Sequence, residues 1–189
     1  MYFTHAVILK KEPTGEADLM LTAFTKKYGK IRLLAQGARK EGAKLKGHCE
    51  PGTHVFLGFV TGKNIYRLVE ADTIETFPVI AQSFKKMKAR GWIFDFVERH
   101  TMEDLRGEAE DFFLALVKFL RDLEDAREHS LFIRALVLRT EFLLYRYLGI
   151  LPDSAPKLHE ANDETSLAHA EMFSRTISEQ ELHSRRIVL

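Results

Sequence analysis

Between Lys26 and Gly47 the chain reads KKYGKIRLLAQGARKEGAKLKG, and this stretch constrains the fold more than any other. Ile31, Leu33 and Ala35 fall at every second position, with Lys30, Arg32 and Gln36 on the other parity. Side chains of a pleated strand point to opposite faces in turn, so one strand buries the first set and offers the second to water or a ligand. Gly37 to Gly47 then holds three glycines and four cations, and is expected to be a flexible cationic arm. A cationic strand face continued by a cationic loop suits an extended polyanion. Gly37 and Gly42 keep the spacing of a phosphate-cradling loop, but Ala43-Lys44-Leu45 follows where that motif needs Lys and then a hydroxyl residue. Without a magnesium-binding hydroxyl, nucleotide hydrolysis is rejected.

The charge of the whole chain is divided in the same sense. Residues 1–90 carry 16 Lys+Arg against 8 Asp+Glu, which is +8, and residues 91–189 carry 12 against 19, which is −7. The formal net charge of +1 therefore conceals a basic first half, expected to meet an acidic polymer, and an acidic second half. The 189 residues are 46% hydrophobic, enough for a sizeable core in one domain or two. Cys49 is the only cysteine, which excludes an internal disulfide and a cysteine zinc cage and fits a reducing cytoplasm. Met1 to Lys11 lacks the basic leader and cleavage site of a signal peptide and reads as a first strand. The longest apolar stretch, Leu131–Leu151, contains Arg134, Arg139, Glu141 and Arg146, so it reads as a core helix and not a membrane span.

A strand-and-turn rhythm runs through the first part of the chain. It predicts strands over Ala6–Lys11, Leu19–Lys27, Gly29–Gln36, His54–Thr61 and Asn64–Asp72, with hairpin-length turns at Tyr28-Gly29 and Gly62-Lys63. Five short strands with longer breaks at 12–18 and 37–52 predict an oligonucleotide-binding (OB) type barrel, which holds single strands on its second and third strands and nearby loops. After Phe77-Pro78 the period becomes helical: a run over Val79–His100, a helix near Leu105–Asp125 capped by Glu103 or Asp104, and an apolar helix over Glu128–Gly149. The tail from Ser154 is polar, with short helices expected at Ser166–Arg175 and Ser178–Arg185 and some mobility. The expected organisation is a β + α protein, with a five-stranded OB-type barrel over 1–78 and an all-α domain over 79–189.

The ordered set Ala6-Val7-Ile8-Leu9-Lys10, Gly15-Glu16-Ala17-Asp18, Leu21-Thr22, Phe24-Thr25, Gly29-Lys30-Ile31, Ala35-Gln36-Gly37-Ala38-Arg39-Lys40, Lys44-Leu45-Lys46-Gly47, Glu50-Pro51 and Phe77-Pro78 resembles the bacterial RecO family. More weakly, Glu141 to Pro152 resembles the end of that family's central helix. The resemblance implies a non-enzymatic DNA repair and recombination mediator that binds single- and double-stranded DNA and anneals strands. It also implies the partner RecR, the acidic tail of single-strand-binding protein, indirect service to a recombinase, and a cytoplasmic, nucleoid-associated location. Many family members carry a four-cysteine zinc element after the Gly-x-x-Pro, whereas Pro152-Asp153-Ser154-Ala155-Pro156 has none and the C-terminal part is shorter than usual. No cofactor is therefore expected.

The residues expected to bind DNA are Lys26, Lys27, Lys30, Arg32, Arg39, Lys40, Lys44, Lys46 and, on the fifth strand, Arg67. Of these, Lys30, Arg39 and Lys44 match family motif positions. Their role would be to neutralise phosphates, which gives affinity without sequence preference. Tyr28, Phe56 and Tyr66 are candidate base-stacking platforms with barrel core as the alternative, the core reading being preferred for Phe56. Lys85, Lys86, Lys88 and Arg90 either extend the track, clasp an acidic peptide, for which the resemblance implies a groove with a basic rim, or form a solvated helix face. His48, Cys49, Glu50 and His54 lie close in sequence but are read as non-ligands, and no catalytic motif is present. The alternative is a non-enzymatic interaction module whose barrel binds an acidic partner protein.

Overall fold

The computed structural model describes residues 1–62, 65–102, 109–156 and 164–187. Its strands are β1 (Tyr2–Thr14), β2 (Asp18–Thr25), β3 (Gly29–Ala35), β4 (His54–Thr61) and β5 (Tyr66–Glu75), closed into a barrel in the order β1-β2-β3-β5-β4. All pairings are antiparallel except the short parallel one between β3 and β5, where Leu33 meets Tyr66 and Leu34 meets Arg67. This is the OB-type barrel that the strand rhythm predicts. β1 is longer than expected because it serves two neighbours: residues 2–7 pair with β4 and residues 6–14 with β2, about an irregularity at Leu9. Such an extra residue lets one strand bend from sheet to sheet and close the cylinder.

Alternation determines what lies inside. Ala6 and Ile8, Leu21 and Ala23, Ile31, Leu33 and Ala35, Val55, Leu57 and Phe59, and Leu68 and Ala71 form one buried cluster. Each fully buried large aliphatic side chain in such a cluster contributes about 1.5–3 kcal/mol. Val7 and Phe24, which face each other across the β1–β2 ladder on the outer side, are buried as well. The cover is the first half of helix α3 (Ala109–Asp125): Phe112 stacks on Phe24 at 4.6 Å, Phe113 meets the His54 ring edge-on at 5.5 Å, and Glu110 pairs with Lys26 at 3.0 Å. The chain accordingly divides into two compact units, one of Met1–Pro78 with Thr101–Val117 and one of Val79–His100 with Lys118–Leu189.

In the second unit, the expected run over Val79–His100 is two helices, α1 (Pro78–Gln82) and α2 (Phe84–His100). Ser83 makes the break: its hydroxyl accepts from the Lys86 amide at 3.3 Å, capping α2. The first amides of α1, Val79 and Ile80, donate to the Glu124 carboxylate at 2.9 Å each, and buried Lys86 donates Nζ to the Glu124 carbonyl. The expected stripe Phe112, Phe113, Leu116, Leu120 and Leu123 of α3 is buried. Its expected cap at Glu103 or Asp104 lies outside the described residues. Helix α4 (Ser130–Tyr147) ends at Gly149, whose φ of 69° suits a residue without a β-carbon.

The tail differs from the expected pair of short helices. It is one helix, α5 (Glu164–Ile187), because Leu167, Ala170, Ser174 and Ile177 make a continuous buried stripe and no breaker interrupts 176–178. Leu167 and Ala170 pack on Leu138 and Phe142 of α4. Among the described residues no helix is long and apolar enough to cross a membrane.

Candidate nucleic-acid interface

The β2–β3–β5 ladder determines where the strand cations point. Thr22 faces Arg32, Met20 faces Leu34, and Leu34 faces Arg67, so Arg32 and Arg67 share the outer face opposite the buried Ile31, Leu33 and Ala35. Both arginines are exposed, and Arg67 donates Nη2 to the Gln36 side chain at 2.6 Å, linking β5 to the end of β3. Lys30 sits on the same parity but opposite Phe24, at the end of the face that α3 covers, and is only 9% exposed. Lys26 is committed to Glu110, whereas Lys27 is exposed in the β2–β3 turn.

The loop after β3 is not the free arm its glycines and charges predict. Gly37, at φ 67°, turns the chain so that its amide donates to Asp18 Oδ1 at 2.7 Å, and the Arg39 amide donates to the Ala17 carbonyl at 2.9 Å. Lys40, Ala43, Lys46 and His48 each donate an amide to the carbonyl three residues back, ending in a 3-10 turn at Lys46–His48. Ala38 and Cys49 are buried in the barrel core and Leu45 packs against it. Small apolar residues at intervals thus fasten the loop while Arg39, Lys40, Lys44 and Lys46 remain exposed. The Arg39 guanidinium reaches the Gly15 carbonyl at 3.5 Å; Arg32, Lys40, Lys44 and Lys46 make no ion pair among the described residues. The loop therefore presents its cations exposed, from a backbone fastened to the barrel, with little internal competition for an anion.

Tyr28 and Tyr66 are half-buried around Phe59 at one end of the barrel, with ring centroids 5.6 and 5.1 Å from it. Tyr2, not singled out from the sequence, completes this cluster, 5.7 Å from Tyr28 and 5.5 Å from Phe59, and is 40% exposed. Its signal was the alternation of the first strand, which continues past Ala6 to Tyr2. Phe56 lies elsewhere, on the outer side of β4 beside Phe3 and His5.

The four potential metal ligands have separate engagements. His48 Nδ1 accepts from the Thr73 amide at 3.1 Å, the Cys49 thiol donates to the Leu45 carbonyl, Glu50 pairs with Lys11, and His54 meets His5 at 3.2 Å. Burial, with the Glu50 charge, pushes the Cys49 thiol up to about 11 against the weaker pull of Lys11.

The helical unit has its own concavity, about 370 Å³, between α2, α4 and α5. Trp92, Ile133, Val137 and Leu138 give it an apolar floor, and Lys85, Lys88, Arg134 and Arg175 a basic rim. Buried Glu141 accepts from Trp92 Nε1 and from Ser174 Oγ at 2.8 Å; burial pushes its carboxyl above the usual range, against the pull of these two bonds. Arg134 is held by Glu171 and Glu164, so the rim is braced by its own acids.

A closed five-stranded OB-type barrel followed by a helical unit defines the fold class of this chain. Residues 1–77 match the family model of the recombination protein O N-terminal region. The chain is 33% identical over 141 residues to the DNA repair protein RecO of Frankia casuarinae, covering 74% of this chain and 58% of that protein. It is 28% identical over 153 residues to that of Gloeobacter violaceus, covering 80% and 57%. Over 86 residues it is 36% identical to that of Thermodesulfovibrio yellowstonii, covering 44% and 34%. The chain belongs to the RecO family, and spans between about a third and somewhat more than half of the length of these relatives.

Proposed function

We propose that this chain is a non-enzymatic DNA repair protein whose barrel, residues 1–78, binds single- and double-stranded DNA and anneals complementary strands. The observation that carries this reading is the exposure of Arg32 and Arg67 on one outer face of β3 and β5, and of Arg39, Lys40, Lys44 and Lys46 on a loop fastened to the barrel. Lys27 is exposed as well; Lys26 and Lys30 take part only if a strand draws them from their present surroundings. Tyr2, Tyr28 and Tyr66 offer rings to unstacked bases. In concert with RecR, the protein would help a recombinase load onto DNA coated with single-strand-binding protein, in the nucleoid. The basic-rimmed apolar groove of the helical unit has the chemistry to receive that protein's acidic, apolar tail.

Titration of labelled single-stranded DNA at several salt concentrations tests the DNA reading. Phosphate neutralisation predicts affinity that falls with salt at a log–log slope of about −0.7 per contacted phosphate, hence near −4 for about six contacts. Absent or salt-insensitive binding would favour a module for an acidic protein partner instead. Acceleration of annealing between complementary oligonucleotides tests the finer activity.

A further inference from the structure

The barrel carries a second outer face of opposite character. Across β1–β4, Phe3 faces Gly58 and His5 faces Phe56; across β4–β5, Gly58 faces Glu70 and Phe56 faces Asp72. These side chains therefore project together on the outside of β1, β4 and β5. Phe3 and Phe56 stack nearly parallel, 6.0 Å apart at 10°, with the His5 ring edge-on to Phe56 at 5.3 Å. The Phe3 ring lies so close over Gly58 that an added β-carbon there would sit 2.9 Å from it. Phe3 is 41% exposed, and Glu70 and Asp72 are exposed beside the stack. Arg67, the arginine of this ladder, turns its guanidinium to Gln36 at the edge of β3.

We propose that this face docks a segment of a partner protein that presents an arginine or lysine next to an aliphatic or aromatic side chain. The apolar group covers the Phe3–Phe56 stack, and the cation meets Glu70 and Asp72 with the ring faces close by. Charge complementarity selects the partner: two carboxylates repel nucleic-acid phosphates, so this face cannot continue the DNA track. A second copy of the chain is a poor occupant, because its cationic loop has Leu45 packed into its own barrel. The barrel is closed, so the partner is held through side chains and not by adding a strand to an edge.

The test uses the full chain and a fluorescein-labelled short peptide of alternating arginine and leucine. The peptide should bind the wild-type chain and bind Glu70→Lys/Asp72→Lys about tenfold more weakly. An arginine–serine peptide should bind more weakly than the arginine–leucine peptide to the wild type, and Phe56→Ser should abolish that difference. Equal binding to the charge-reversed chain, or no binding at all, would overturn the proposal. So would a concentration-dependent dimer that the charge reversal dissolves, since the occupant would then be a second copy.

Discussion

On the barrel unit, Arg32, Lys40, Lys44 and Lys46 stand exposed with no acid paired to them among the described residues. In the helical unit Arg134 holds Glu164 and Glu171, Lys86 is buried against the Glu124 carbonyl, and Glu141 is enclosed by Trp92 and Ser174. The barrel closes a core of aliphatic and aromatic side chains and leaves these four cations exposed, although Lys11 and Lys26 of the same unit pair with Glu50 and Glu110. In the helical unit the named charges hold the helices together, while Lys85, Lys88 and Arg175 line the groove. The same residue types therefore serve different ends, and the neighbouring acids distinguish them.

Four measurements would break or sharpen this contrast. Phe59→Ala, which removes the ring at the centre of the tyrosine cluster, should cost about 3–5 kcal/mol in urea unfolding followed by circular dichroism. A cost below about 1 kcal/mol would mean that the barrel end is loosely packed and its stability lies elsewhere. Arg39→Glu with Lys44→Glu should weaken single-stranded DNA binding by roughly tenfold or more and flatten the salt slope by about 1.4, with the melting temperature unchanged. Unfolding of this variant would show that the loop's charges are structural, contrary to their exposure.

The third concerns Glu141, whose carboxyl titrates higher when folded than when unfolded. Its contribution to stability is complete below the usual glutamate range and is lost as pH rises through the raised folded value. Glu141→Gln, which keeps an acceptor for Trp92 but cannot ionise, should flatten the fall in melting temperature as pH rises from the usual glutamate range through the raised folded value. An unchanged profile would remove Glu141 from the list of buried charges that set the helical unit apart. The smallest effect is at Cys49: with its thiol at about 11 and 1% exposed, native alkylation at mildly alkaline pH should be roughly a hundredfold slower than in the unfolded chain. Rapid modification would show that the loop opens readily.

The strands were legible because each presents one polar face, so parity alone separated Ile31, Leu33 and Ala35 from Arg32. Parity failed where both faces are covered: Lys30 and Phe24 lie on the outer side, yet both are buried, Phe24 under Phe112 of α3, and nothing in local spacing announces a helix arriving from residue 109 onward. Lys26 illustrates the same limit, its availability decided by Glu110, far away in the sequence. The loop's composition advertised charge but hid its fastenings, since Ala38, Leu45 and an Asp18 side chain read as ordinary between glycines and lysines. The two short helices expected in the tail leave Thr176 and Ile177 between them, but one helix runs through both, with Ile177 buried on the same stripe as Leu167, Ala170 and Ser174.

The contact of Phe112 and Phe113 with Phe24 and His54 also bears on how the molecule is made. As the nascent polypeptide leaves the ribosome, all five strands emerge well before those two phenylalanines do. Until then Val7 and Phe24 wait uncovered on the cylinder wall, a greasy patch for a chaperone or for another growing chain. A translational pause after β5 should therefore be hazardous, and one placed beyond residue 117 benign.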